Sequence, residues 1–371
     1  MNAQVRNQKV GNKTRIAKYV FQKETTSKAE ISAALGLSMP STLANVNALI
    51  DSGVFIESGE YESTGGRRAK AISIAKNLGY VLGADITAHH VSFVMVSLNG
   101  KILFSQRSRL VFEDTYSYYE EIVKRMNEFI ASTELDGSRI IGVGWSVPGI
   151  VNAQKKMILR SHALNVSNVS LQYLQDLIHY PIKIENDANS AALAEFPSYK
   201  RDCVYLSLSE TVGGAIYIHD QMFGGDNFKS GEFGHMIICK DGKKCYCGKR
   251  GCVDAYCSAK LLRQNTDGNL DEFFSRLRGG DGLCQNIWTK YLDWLSIAVT
   301  NLRMAFDCDI VLGGYVGGYM EAYLPEFFRH VRKYNNFDAD TSYIHTGRYK
   351  WEASAYGSTL PFIYQYFERL Q

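Results

Sequence analysis

With 371 residues, 46% of them hydrophobic and 21% charged, the chain has room for two or three domains, each large enough to bury a core. No apolar run approaches the roughly 18 residues of a helical membrane span, and the polar, basic start MNAQVRNQKVGNKTR lacks the apolar stretch of a secretion signal, which points to the cytoplasm. The net charge of +3 says less than its distribution, because residues 1–76 carry eleven Lys/Arg against six Asp/Glu, a balance that suits contact with nucleic acid.

The segment TRIAKYVFQ has helical periodicity through Ile16, Tyr19 and Val20. In the next stretch Ser27 is placed to cap a helix, with Glu30 as its capping-box partner and Ile31, Ala34 and Leu35 on the buried side. Gly36 ends that helix. Pro40 then falls in the first turn of another, where its missing N–H costs nothing, and Leu43, Val46, Leu49 and Ile50 mark the inner face up to Gly53. Two short helices joined by a tight glycine turn predict a helix-turn-helix. Its outer face is read as Ser41, Thr42, Asn45 and Asn47, small polar side chains suited to base edges and phosphates in a major groove. VFIESGEYESTGGRRAKAISI follows as two strands around a glycine-rich tip, a wing whose Arg67 and Arg68 would enter a minor groove or hold phosphates. The alternative is a helical protein-interaction module with a basic hairpin.

From residue 77 the pattern changes. AKNLGYVLGADITAHHVSFVMVSLNGKILFSQRSRL alternates as three strands with a turn at Asn99-Gly100. A helix, TYSYYEEIVKRMNEFIAST, and a buried strand, RIIGVGWSVPGIV, come next, and a second run of the same kind begins at CVYLSLSETVGGAIYIHDQMFGG. Strands and helices recurring in two halves predict a duplicated α/β architecture with a cleft between lobes.

Six segments, GWSVPGIV, IKIENDANSAALAE, VGGAIYIHDQMFGG, GEFGH, CYCGKRGC and IVLGGYVGG, stand in the order of the ROK family of repressors, open reading frames and sugar kinases, which this region resembles. The winged helix with STGGRRAK resembles the arm of the family's transcriptional-repressor branch. The resemblance implies an α/β chain with an N-terminal winged helix-turn-helix at 1–76 and a two-lobed actin-like ATPase (sugar-kinase-like) fold. Its first lobe would span 77–197, completed by a C-terminal helix at about 352–371, and its second 198–351.

His235, Cys245, Cys247 and Cys252 offer one imidazole and three thiolates, a donor set suited to tetrahedral, structural zinc, and the resemblance assigns Zn(2+) to these four positions. A redox pair and buried free thiols are the alternatives. Cys239 and Cys257 fall outside the family pattern, and Cys203, Cys284 and Cys308 read as small core residues. Eight cysteines in a reducing compartment do not suggest a disulfide framework.

Asn186 and Asp187 fall at the end of a strand before a helix. In isolation that is a turn or a cap. The resemblance instead implies sugar contact, with the Asp as general base in the family's kinases. It adds Pro148 and Gly149 from a loop over the sugar, Glu232 and His235 from GEFGH, and Asp254, where the family usually has Glu. The phosphate grips depart from the family. DITAHH (Asp85 to His90) stands where the kinases have D-x-G-G-T, with Ala88 and His89 in place of glycine, and ETVGGA (Glu210 to Ala215) stands where they have T-G-x-G-G-G. Glu210 adds negative charge where a triphosphate would lie. These residues predict a sugar-responsive repressor that binds operator DNA and a sugar effector as a homodimer or homotetramer, and that is not an enzyme. An active sugar kinase with a DNA-binding arm is the alternative.

Overall fold

The computed structural model describes residues 11–61, 69–196 and 201–370. The N-terminal part consists of α1 (Asn12–Lys23), α2 (Lys28–Leu35), α3 (Met39–Asp51) and the antiparallel strands β1 (Phe55–Tyr61) and β2 (Ala69–Ile74). The expected caps are present: the Ser27 hydroxyl accepts from the Glu30 N–H, and the Ser38 hydroxyl accepts from the Ser41 N–H. Lys28 on α2 and Lys70 on β2 both bind Glu57 on β1, which fixes the hairpin against the helices. The wing tip with Arg67 and Arg68 lies outside the described residues.

The inner stripe of α3 runs through Thr42, Val46 and Leu49, all buried. This corrects the expected faces. Thr42 is fully buried, its hydroxyl donating to the Ser38 carbonyl at 3.1 Å, while Leu43 is 39% exposed. A threonine bonded to the carbonyl one turn back has no unmet polar group, so it fits an apolar interface. Ala34 of α2 is likewise exposed rather than inward.

The first lobe contains β3 (Tyr80–Ile86), β4 (His90–Ser97), β5 (Ile102–Arg109), α4 (Tyr116–Ser132), β6 (Ile140–Val147), the meander β7 (Ile150–Asn152), β8 (Met157–Ser161) and β9 (Val166–Ser170), then α5 (Gln172–Leu177), β10 (Ile182–Asn186) and α6 (Asp187–Glu195). The second contains β11 (Cys203–Leu208), β12 (Val212–Ile218), β13 (Gln221–Met222), α7 (Asp254–Cys257), α8 (Ala259–Arg263), α9 (Leu270–Arg278), α10 (Gly282–Phe306), β14 (Asp309–Gly313), α11 (Gly314–Met320), α12 (Leu324–Val331) and β15 (Ile344–Thr346). Helix α13 (Ala353–Glu368) ends the chain.

The two main sheets repeat one topology. Their orders are β10-β6-β3-β4-β5 and β13-β12-β11-β14-β15. Each starts with an antiparallel three-strand meander, then adds two parallel strands on the other side of its first strand. The second half is thus built on the plan of the first, and the ligand crevice of such sheets lies at the carboxyl ends of the parallel strands.

Among the described residues there are four apolar clusters, of which the smallest packs α6 against the second sheet. One fills the second lobe, under α10, and one fills the first lobe, under α4. The third joins Ile16, Val20 and Phe21 of α1 to Val81, Val94 and Val96 of the first sheet and to Leu360, Ile363 and Phe367 of α13. The winged helix therefore shares a core with the body instead of hanging from a linker. Helix α13 lies against β3, β6 and α6, and its approach to α6 depends on Gly357, where an added Cβ would come 1.6 Å from the Ser190 carbonyl oxygen.

Candidate functional site

Two cavities lie between the lobes. The larger, about 470 Å³, brings together Pro148, Gly149, Asn186, Asp187, Glu232 and His235, six of the seven predicted sugar contacts. Asp254 falls on the wall of the second, about 310 Å³. Asp187, Pro148, Thr211, His162 and Tyr246 border both.

Strand β10 delivers Asn186 and Asp187 to its carboxyl end. The Asn186 side chain caps α6, its Oδ1 accepting from the Asn189 N–H at 2.9 Å, and its Nδ2 donates to the Gly149 carbonyl at 2.8 Å and to Asp187 Oδ1 at 3.1 Å. Asn186 is thus a cap as well as a cavity residue, and it sets both Asp187 and the loop above it. That loop turns at Gly149, where φ is +113° and a Cβ would sit 2.5 Å from the Arg160 carbonyl. Asp187 Oδ1 also accepts from the Ala188 N–H at 2.9 Å. Burial, reinforced by the charge of Asp85, pushes the Asp187 carboxyl up to about 7. Burial likewise raises Asp85 to about 6, although the Ser146 hydroxyl donates to it at 2.7 Å.

GEFGH forms a tight turn that offers Glu232 and His235 from the opposite lobe. His235 Nε2 is 3.9 Å from a Glu232 oxygen, and its Nδ1 is 3.8 Å from Cys245 Sγ. Cys247 Sγ and Cys252 Sγ are also 3.8 Å apart, and the four donor atoms of His235, Cys245, Cys247 and Cys252 all lie within 4.8 Å of one another. Metal–sulfur bonds of ~2.3 Å in a tetrahedron place sulfurs ~3.8 Å apart. The cluster therefore has the donors and the spacing to hold a metal ion. The rings of His162, His235 and Tyr246 pack edge to face, with centroids 5.3–6.0 Å apart, so the cluster also braces the wall where the cavities meet. The sequence reading passed over His162 and Tyr246. Tyr246 stands between two cysteines of the cluster, a signal the sequence carries; His162 has no motif around it.

The second cavity is lined by the segments expected to depart from a phosphate grip. Ala88 and His89 line it, and Glu210 is paired with Arg263. The charge of Glu210, expected to repel a triphosphate on its own, thus has a guanidinium against it. On the cleft's edge Arg107 of β5 donates to the Tyr315 hydroxyl of α11 at 3.2 Å, bridging the lobes. Asp254 accepts from the Val212 N–H at 2.6 Å and is raised by burial to about 6, so from the second cavity's wall it holds the start of a strand that borders the first.

A two-lobed sugar-kinase-like body carrying a winged helix on its first lobe defines a class in which kinases and regulators share one fold. Residues 81–360 match the ROK family, and the chain belongs to it. Among curated proteins it is 29% identical over 311 residues to a xylose repressor of Bacillus subtilis, covering 81% of each chain. It is also 27% identical over 254 residues to an N-acetylmannosamine kinase of Vibrio cholerae, covering 65% of this chain and 86% of the kinase. Among solved structures, a ROK family transcriptional regulator, described as a homologue of the Escherichia coli MLC protein, superposes with a TM-score of 0.71 at 21% identity over 96% of both chains. A ROK glucokinase of Streptomyces griseus, solved with glucose and AMPPNP, superposes with a TM-score of 0.65 at 22% identity, over 76% of this chain and 99% of the kinase. The regulator thus covers nearly all of this chain, and the kinase about three quarters of it.

Proposed function

We propose that the protein is a sugar-responsive transcriptional repressor of carbohydrate-utilisation genes, acting in the cytoplasm on double-stranded operator DNA. The observation that carries this reading is the shared core of α1, the first sheet and α13, which joins a helix-turn-helix to a cleft lined by Asn186, Asp187, Glu232 and His235. A sugar that changes the cleft changes the seat of the DNA reader. The xylose repressors among its relatives support the reading. Ser41, Asn45 and Asn47, with Arg67 and Arg68 of the wing, are the proposed DNA contacts. Thr42 acts from inside, by fixing α3. A homodimer or homotetramer would present two such helices to a palindromic site.

The bound metal is proposed to be zinc, which suits one imidazole and three thiolates with no open position for water. His235 and the three cysteines would hold it, and its role is structural: it fixes the turn that carries Glu232 and the rings bordering the cleft. Catalysis is not part of this reading, which is supported by Ala88, His89 and the Glu210–Arg263 pair on the wall where family kinases would have their phosphate loops. One observation favours the second reading, an ATP-dependent sugar kinase: a carboxyl raised to about 7 is well placed for general-base work near neutral pH.

Gel-shift titration of the protein against DNA fragments flanking its own gene, with and without a panel of pentoses, hexoses and amino sugars, tests the first reading. Sugar-sensitive binding to one fragment is expected. A coupled ATP assay with the same panel tests the second, and turnover abolished by Asp187→Asn would replace the first reading with it.

A further inference from the structure

The second cavity has no task in the function proposed above. It opens on the first around Asp187, Pro148, His162 and Tyr246, so whatever fills the first can continue into it. Its lining includes Trp351 and Tyr315, along with Ala88 and Ala353, and the Arg107 guanidinium lies over one face of the Tyr315 ring. Aromatic faces beside a few fixed polar groups suit a ring-shaped ligand.

Charge narrows the choice. Asp85, Asp187, Asp254 and Glu210 line this chamber with Arg263, Lys260, Lys350 and the imidazoles of His89 and His90. Arg263 is taken by Glu210. Asp85 is held by a serine hydroxyl and Asp254 by a backbone N–H, not by a cation. With Glu210 and Arg263 cancelling, three carboxyls face two lysines, so the wall has no cationic surplus to hold a phosphate. A neutral group rich in hydroxyls would supply the donors that such carboxylates lack.

We infer that the effector is a neutral two-ring glycoside, a disaccharide or aryl glycoside, with one sugar ring held by Asp187, Glu232 and His235 and the second ring in the chamber walled by Trp351 and Tyr315. The inference rests on the sugar-binding reading of the first cavity. It also explains how the ligand is sensed: Trp351, Ala353 and Ser354 lie at the start of α13, so the second ring touches the helix that seats the DNA reader.

Calorimetry on the full chain tests it, with xylose, glucose and galactose as single-ring probes, xylobiose, cellobiose, maltose, lactose and 4-nitrophenyl β-xyloside as two-ring probes, and glucose 6-phosphate as the charged control. One two-ring probe is expected to bind about ten-fold or more tighter than its own monosaccharide. Trp351→Ala should abolish that advantage and leave the monosaccharide within about two-fold of its wild-type affinity; Tyr315→Leu is the second variant should the first not fold. A monosaccharide that binds as tightly as every two-ring probe, or a preference for the phosphate, overturns the two-ring inference while leaving the sugar reading intact, provided Asp187→Asn abolishes the binding. Binding of no probe at all overturns both.

Discussion

The Ser354 hydroxyl donates to the backbone carbonyl of Asp187 at 3.1 Å, which ties the first residue of α6 to the first turn of α13. The far end of α6 is tied to the same segment. Glu195, fully buried, accepts the N–H groups of Arg348 at 2.7 Å and Tyr349 at 2.9 Å on one carboxylate oxygen. Helix α13 in turn grips α1: the Thr14 hydroxyl donates to the Phe367 carbonyl at 3.1 Å, Lys18 pairs with Glu368 at 2.8 Å, and Phe21 meets Tyr364 and Phe367 edge-on. Two packed helices thus separate the cleft from the DNA reader.

Glu195 tests this connection. Glu195→Ala leaves two part-buried N–H groups without their acceptor, at up to about 1–3 kcal/mol each, while Glu195→Gln keeps an oxygen to receive them. Urea unfolding is expected to show a clear loss for the alanine variant and a small one for the glutamine. The response of DNA affinity to sugar, typically worth about 1–3 kcal/mol in such coupled sites, should fall in the alanine variant and be restored in the glutamine. Equal responses in the two would place the connection elsewhere.

Asp187 sets a pH dependence whose sign can be worked out. Its carboxyl holds its proton to about pH 7 in the fold against an ordinary value of 3.8, because burial and the neighbouring Asp85 disfavour the charge, with Glu232 adding to the effect. The stability this contributes is complete below pH 4 and is lost as pH rises through 7, a change of at most ~4 kcal/mol. Asp187→Asn removes the burden of the buried charge. The variant should melt higher than the wild type at pH 8, with little difference at pH 4. A sugar hydroxyl that donates to the ionised carboxylate binds more tightly as pH rises from 6 to 8, and that slope should vanish in the variant along with most of the affinity. Calorimetry and thermal melts across this range decide both points.

The cluster of His235, Cys245, Cys247 and Cys252, proposed as a zinc site, predicts a link between metal content and sugar affinity. Cys247→Ser removes one thiolate, so metal analysis should show loss of the ion. The turn carrying Glu232 and the rings of His162, His235 and Tyr246 then lose their anchor, and sugar affinity should fall about ten-fold or more. Metal-free protein with unchanged sugar affinity would separate the cluster from the cleft.

How far the sequence could be read depended on how local each signal was. Ser27, Ser38 and Pro40 act within one helical turn, so both helices of the DNA reader could be placed from them. The cysteine spacing and the Asn186-Asp187 step are local as well, and the structure gathers both sets. What escaped was set across the fold. Thr42 and Leu43 exchange their expected faces because the inner stripe of α3 follows its neighbours, not hydrophobicity residue by residue. Arg263 lies 53 positions from Glu210, so their pair on the second cavity's wall has no motif. The same holds for α1 on α13, residues more than 340 positions apart that share one core.

The corrected face of α3 separates two kinds of DNA-binding loss. Thr42→Val replaces a buried, internally bonded hydroxyl and should change operator affinity only as far as it loosens α3. Ser41, Asn45 and Asn47 are only partly buried or exposed, and their polar atoms are turned to local partners: Asn45 Nδ2 donates to the Ser41 carbonyl at 2.8 Å and Asn47 Oδ1 accepts from Lys28 at 3.0 Å. For Asn47→Ala the melting temperature should hold while discrimination between operator and mutated operator falls, by about 1–3 kcal/mol for a lost base contact. Arg67→Ala should weaken all sequences alike and lower the slope of log affinity against log salt by about 1. Titrations at several salt concentrations, on operator and on scrambled DNA, distinguish the two. An unchanged salt slope for Arg67→Ala would remove the wing from the interface, and unchanged discrimination for Asn47→Ala would remove this face of α3 from base reading.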